Sequence, residues 1–410
     1  MKKSFVTLFC TLALGIAPAH GQDGLTLEQA VALALRQNPA ILIAQREVSA
    51  SAGKRMQMEA VADPSLVFRD EGLAFRKTAD GTPEKEISFG LEQNLEFPGK
   101  RALRAEIGKA GEAQSALALD RTRLLVSARV KKAYYAAVLS KKTVESLVKS
   151  SALLDEFIAS LLPKYQAGDT TYGDVLRAKV EKARLQNQIL EERKNEAAGR
   201  GELNLLLGRR GDDPLALATD MVYVPLSKGL TAWKEEARTV SPTLKLAAAK
   251  RGQTATSLLL ARKNVLPDFS LGLYFPSLRS GSWGFSIGLS LPVWRTRRAG
   301  EVREAEAATE IAALSETQDE VRLMSRIDRA FEAVRTAEEQ VKIFELRLLA
   351  DLEDELKLGV SQYRYAKFEF FNLLDLYRTY TAAQLEHLKS LYLYLTSLAD
   401  LEIAGEDAVS

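Results

Sequence analysis

Cysteine is nearly absent from this sequence and histidine is scarce. One Cys and two His in 410 residues exclude an internal disulfide framework, a thiolate zinc site and an iron–sulfur cluster, and argue against a His-rich metal centre. An excess of one charge is missing too. Lys and Arg number 56 against 54 Asp and Glu, a net +2, which gives none of the basic footprint that sequence-blind nucleic-acid binding needs. Beyond the first 22 residues no stretch approaches the ~18 consecutive apolar residues of a membrane helix. A chain like this can cross a membrane only with strands. Catalytic signatures are also lacking. Gly99-Lys100-Arg101 has neither the upstream Gly nor the Ser/Thr of a phosphate loop, and no G-x-S-x-G or H-E-x-x-H occurs. The expectation is a protein that is not an enzyme and holds no cofactor. What is present, 46% apolar and 27% charged residues, is ordinary for a folded chain.

Residues 1–22 read as a secretory signal peptide. Lys2 and Lys3 precede an apolar core over 5–17, and Ala17-Pro18-Ala19 or Ala19-His20-Gly21 supplies small residues for cleavage after Ala19 or Gly21. The alternative, a buried N-terminal helix, is opposed by Pro18 and Gly21, which end the run abruptly. Cys10 lies inside the apolar core rather than after it, so no lipid anchor is expected. Loss of the leader removes Lys2, Lys3, Cys10 and His20. The remaining chain is balanced at 54 basic and 54 acidic residues with His387 as its one histidine.

An internal repeat organises the rest. Asn38-Pro39 is echoed by Ser241-Pro242, and Asp63-Pro64-Ser65-Leu66 by Leu266-Pro267-Asp268-Phe269, both 203 residues on. Ser88-Phe89-Gly90-Leu91 is echoed by Ser286-Ile287-Gly288-Leu289, and Tyr165-Gln166-Ala167-Gly168 by Tyr363-Arg364-Tyr365-Ala366, at 198. The offset falls once, in the loop 69–86 against its shorter partner 272–284. The pattern predicts repeats over 23–207 and 230–404, a linker over 208–229 containing Pro214 and Pro225, and a tail over 405–410.

Each copy opens with a short helix and a second helix; Thr26 and Gln29 are placed for a capping box. A strand pair follows, over about 64–97 and about 267–294. Phe269, Leu271, Leu273 and Phe275 alternate with Ser270, Gly272 and Tyr274, and Phe285, Ile287, Leu289, Leu291 and Val293 alternate with small or polar residues. Strict period two gives each strand one apolar and one polar or small face. Long helices are expected over about 102–162 and 298–361, each with a return helix past a short turn. Val126, Val130, Ala133, Ala137, Ser140, Val144, Leu147, Ser151, Leu154, Ile158 and Leu161 form an unbroken heptad seam. In the second copy the seam runs from Leu323 to Leu348, then slips by one to Leu352 and Leu356. A ~60-residue helix is ~90 Å long and needs partner helices.

The fold class is therefore mostly α with a small β part. Four strands are too few to close a membrane barrel, which needs about eight or more, so closure requires several subunits. Phe97, Phe275, Trp283 and Trp294 near strand ends suit an interfacial aromatic girdle. A soluble sandwich shows the same alternation in any single hairpin. Two hairpins at equivalent repeat positions, each before a long rod, favour the barrel.

At these residues the sequence resembles the outer-membrane efflux channels typified by TolC. The resemblance rests on Leu25-Thr26-Leu27-Glu28-Gln29-Ala30 with Asn38-Pro39 and on Phe97-Pro98-Gly99-Lys100-Arg101. It rests equally on Tyr165-Gln166-Ala167-Gly168 through Asp174-Val175-Leu176, and on Tyr363-Arg364-Tyr365-Ala366-Lys367-Phe368 through Leu373-Leu374-Asp375. The Phe-Pro-Gly-Lys-Arg and Tyr-Arg-Tyr-Ala-Lys-Phe stretches look most like the heavy-metal branch, the CzcC and CusC type. The resemblance implies a homotrimer, with long helices forming an α-barrel and four strands per subunit completing a twelve-stranded β-barrel in outer-membrane lipid. It would extend into the periplasm as the exit duct of a tripartite pump, with a periplasmic adaptor and an inner-membrane transporter as partners and heavy-metal cations as a substrate class.

The resemblance also assigns sites. Gly168, Asp169, Thr170 and Thr171, with Ala366, Lys367 and Phe368, map to the periplasmic tips where the adaptor docks. Asn372 and Asp375 map to acidic rings of the closed pore, the first neutral here. Asp174 and Tyr363 map to a pair that ties the closed tip. The family's tip arginine maps to Phe368, so that latch is absent or replaced. Plain alternatives stand beside these assignments: a solvated helix charge for Asp375 and a helix cap for Asp174. Two rival functions remain, a periplasmic adaptor and a structural coiled-coil protein of the envelope. The first should carry one hairpin flanked by compact β-domains, and the second leaves the strand alternation unexplained.

Overall fold

The computed structural model describes residues 24–71, 86–275, 283–291, 293–345, 348–365 and 369–405. The signal-peptide and tail assignments, and the loops where the repeat offset changes, lie outside them. Helix α1 (Leu27–Gln37) starts at the expected capping box, with Thr26 accepting from the Gln29 amide and the Gln29 side chain accepting from the Thr26 amide. Asn38 caps α2 (Pro39–Glu59) by accepting from the Ala40 amide, and its side-chain amide donates to the Leu206 carbonyl at 2.7 Å. Strands β1 (Ser65–Glu71) and β2 (Glu86–Leu95) lead into α3 (Lys100–Ala167) and its return helix α4 (Tyr172–Leu206). The second half repeats this order: α5 (Leu230–Val240), α6 (Pro242–Lys263) capped by Ser241, β3 (Phe269–Phe275), β4 (Gly284–Leu289), α7 (Arg295–Glu345), α8 (Leu348–Arg364) and α9 (Phe370–Gly405).

The 68 residues of α3 make a rod of ~100 Å. Its expected end near 162 is corrected, because the helix continues through Pro163 to Ala167. Proline removes the N–H that would bond the carbonyl of Ala159, but both residues are exposed, so water can satisfy that carbonyl. Likewise β4 stops at Leu289 although alternation continues to Val293, because its partner β3 begins at Phe269, opposite Leu289.

The expected seam of α3 is the buried one: Val126, Val130, Ala133, Ala137, Leu147, Leu154 and Leu161 are all buried. Val126, Val130 and Ala133 pack with Leu323, Ile327, Val334 and Val341 of α7, Tyr394 and Leu395 of α9 and Trp233 of α5, Leu147 packs with Leu185 and Ile189 of α4, and Leu154 and Leu161 pack with the tip helices. Where the seam of the second copy slips, Leu348 is exposed and a cavity of about 400 Å³ opens, lined by Leu349, Lys149, Leu153 and His387 among others. The linker is stitched down rather than loose. Leu25 forms a parallel bridge with Leu217, and the buried Tyr134 hydroxyl donates to the Leu25 carbonyl and accepts from the Thr219 amide, both at 2.8 Å.

Candidate functional site

Two regions draw together the residues singled out from the sequence. The first is the sheet. All four strands pair antiparallel in the order β1-β2-β3-β4, so both edge strands are open. Register places Leu66, Leu91, Leu273 and Phe285 in one cross-strand row and Phe68, Phe89 and Phe275 in the next. Period two then puts every one of these side chains on the same face, and that face is exposed. The opposite face carries Arg69, Ser88, Gly90, Glu92, Gly272, Tyr274 and Ser286. Phe275 and Trp283 flank one end of the sheet. Phe97, stacked on Phe269 at 6.3 Å, and Trp294, 80% exposed, flank the other. Among the described residues no helix is long and apolar enough to cross a membrane.

The sheet joins the helices at a polar knot. Lys100, only 3% exposed, donates to the Leu266 carbonyl and to Asp268 Oδ1, both at 2.8 Å. The same oxygen accepts from the Phe97 amide at 2.8 Å, and the Asp268 amide donates to Ser290 Oγ. Burial alone would raise the Asp268 carboxyl; the bonds from Lys100 and Phe97 outweigh it and hold its pKa below the usual value. Gly99 enters α3 with φ 90, a conformation that favours glycine.

The second region is the tip. α3 ends in a Schellman turn: the Asp169 amide donates to the Lys164 carbonyl, the Gly168 amide to the Tyr165 carbonyl, and Gly168 sits at φ 82. Thr171 and Asp174 then form a capping box for α4. Asp174 Oδ2 accepts from both Thr170 and Thr171 hydroxyls, and Oδ1 accepts from Arg177. Its pKa is lowered, burial opposing and these bonds prevailing. The expected tie between Asp174 and Tyr363 is therefore not a hydrogen bond here, because the carboxylate is committed to its own helix start. Its charge reaches Tyr363 through space, adding to the burial that raises the tyrosine's pKa, while Thr170 partly offsets the rise. Asn372 and Asp375 are exposed on one side of α9, beside the buried Leu373 and Leu374. Ala366, Lys367 and Phe368 lie outside the described residues.

Four helix ends meet at this tip around Leu154, Phe157, Leu161, Val175, Tyr363 and Tyr377. The repeat shows in equivalent aromatic pairs, Tyr165 with Tyr172 at 5.7 Å and Tyr363 with Phe370 at 6.0 Å.

No family model matches the chain. The cobalt-zinc-cadmium resistance protein CzcC of Cupriavidus metallidurans is 19% identical over 381 residues, 92% of this chain and 89% of that protein. Among solved structures, CusC superposes with a TM-score of 0.78 at 17% identity, over 92% of this chain and 91% of that one. The outer-membrane channel OprN gives 0.79 at 15%, over 92% and 89%. The MtrE outer membrane channel of Neisseria gonorrhoeae gives 0.79 at 16%, over 95% and 90%. The chain has the fold of the TolC-like outer-membrane efflux channels. Within that fold, Lys100 and Asp268 form the junction of sheet and rods, and the Asp174 and Tyr363 region forms the far end of the rods. Sequence reasoning passed over Asp268 and Lys164. Each makes its key contact with a residue more than 160 positions away, and no local pattern signals such a pairing.

Proposed function

We propose that the chain is the outer-membrane exit duct of a tripartite efflux pump, passively conducting substrate delivered by a periplasmic adaptor and an inner-membrane transporter. The observation that carries this reading is an open four-stranded sheet with one mainly apolar, exposed face, interrupted by Gln93 in the row of Leu271 and Ile287. With an even number of antiparallel strands, β4 of one copy runs antiparallel to β1 of the next, so three copies close head to tail into twelve strands. Closure removes both free edges and turns the apolar face to lipid and the glycine-rich polar face to the lumen. The aromatics at both sheet ends then sit at the two membrane interfaces. Similarity to CzcC and CusC favours heavy-metal cations as substrate. A duct needs weak, transient contacts rather than a tight site. Extraction from membranes as a detergent-stable trimer is the expected result; recovery as a soluble periplasmic monomer would overturn the reading.

The tip is then the periplasmic end and the surface for the adaptor, with Asp375 from three copies facing the pore and Asn372 contributing no charge. Asp375→Ala is expected to lower single-channel conductance for cations about twofold or more and to weaken block by multivalent cations, because three convergent carboxylates concentrate cations at the constriction. An unchanged record in planar bilayers assigns Asp375 to the solvated helix surface instead.

A further inference from the structure

Lys164 lies in the last turn of α3, where the Schellman turn fixes its backbone. Its side chain leaves that hairpin. Nζ donates to the Tyr363 carbonyl at 2.6 Å and stands 4.0 Å from the centre of the Tyr363 ring. Tyr363 is in the last turn of α8, where carbonyls lack intrahelical partners and the helix dipole is negative. One ammonium therefore serves as a hydrogen-bond donor to a last-turn carbonyl, a dipole partner and a cation over an aromatic face. The Tyr363 ring is itself buried and packs edge-on to Phe370, the first residue of α9. Through that ring Lys164 grips both helices of the second hairpin. Higher up, the Tyr377 hydroxyl donates to the Ser150 carbonyl at 2.9 Å and Arg378 pairs with Glu181. Ser150 is 14 residues from Lys164, ~21 Å along the rod.

We propose that Lys164 is the intrasubunit latch of the tip, a positioning residue that sets the balance between closed and open channel. This rests on the exit-duct reading above. Spreading the two hairpins must pull Nζ off the Tyr363 carbonyl and ring, so the contact favours the closed state alone, and only such a differential contact can shift the balance. Loss of one charge-assisted hydrogen bond to a carbonyl that water can then reach predicts a change of about tenfold in the open-to-closed ratio.

The test is single-channel recording of the full-length protein in planar bilayers. Four proteins are compared: wild type, Lys164→Met, Lys164→Arg, and Lys179→Met, which removes an exposed lysine from α4. Lys164→Met is expected to raise the open-to-closed ratio about tenfold with trimer yield and helix melting unchanged. Lys164→Arg should return most of the wild-type ratio, and Lys179→Met all of it. If wild type conducts and gates while Lys164→Met matches it, the latch is wrong and the duct reading stands. If wild type forms no channel, the duct reading fails and takes the latch with it. Should Lys164→Met not assemble, Lys164→Gln carries the same expected direction. Failure of both to assemble overturns the latch, since Lys164 would then be required for folding.

Discussion

Ile287→Arg is expected to strip the protein from the outer membrane, while Ser286→Arg leaves it there. The two residues are neighbours on β4, both solvent-accessible in the single chain, and differ only in the face they occupy. Ile287 is 69% exposed and pairs with Leu271 across β3 on the apolar face. Ser286 pairs with Gly272 on the opposite face, beside Glu92 and Tyr274. An arginine on the lipid face near mid-depth costs about 2–4 kcal/mol, and a threefold assembly incurs that cost three times. On the lumen side the same side chain stays in water and can only narrow the pore. The measurement is the fraction of each variant recovered as outer-membrane trimer at matched expression. A soluble sandwich would bury the same face and reject the same arginine, but it would yield no outer-membrane trimer for either variant or for the wild type; equal recovery of the two variants as trimer contradicts the barrel.

That contrast could be framed from sequence because period two is a local signal: Leu271, Leu273, Phe285 and Ile287 announce one face whatever surrounds them. The cap at Thr26 was legible for the same reason, since it depends on Gln29 three positions away. The buried seam of α3 from Val126 to Leu161 followed from its heptad spacing. The helix end at Pro163 was misjudged because a proline on an exposed helix face breaks a bond that water replaces, and the sequence does not say which face is wet. Asp174 shows the reverse. The plain alternative, a helix cap at Asp174, was right in kind but three residues out, since Thr171 is the N-cap and Asp174 the partner in its capping box; that role consumes the carboxylate that family resemblance assigns to Tyr363. Lys164 gave no sign at all, and Asp268 showed only its place in a repeated motif. Their partners are set by how two rods and a sheet end come together, and a lone lysine or aspartate carries no periodicity.

The second large effect belongs to that unannounced knot. Lys100→Met is expected to destabilise the junction of sheet and rods by about 2–3 kcal/mol, the worth of hydrogen bonds to charged groups. The cost falls short of the 3–5 kcal/mol seen when a fully buried pair is broken, because the Asp268 side chain is 42% exposed and water can take up part of its charge. The loss should nonetheless be felt widely. Asp268 receives the Phe97 amide after β2 and Lys100 at the start of α3, while its own amide donates to Ser290 after β4. The sign of the pH dependence follows from the lowered pKa of Asp268. A carboxyl depressed in the folded state contributes stability above its unfolded value of about 4 and loses it as pH falls through the folded value. Melting of the detergent-solubilised protein should therefore separate wild type from Lys100→Met at neutral pH and bring them together in acid. In a double-mutant cycle, Asp268→Asn should cost little more once Lys100 is gone, since the two act through one shared oxygen. Additive losses at neutral pH, or a gap between wild type and Lys100→Met that persists in acid, would mean that Lys100 acts through the Leu266 carbonyl alone and that the charge pair does not hold the junction.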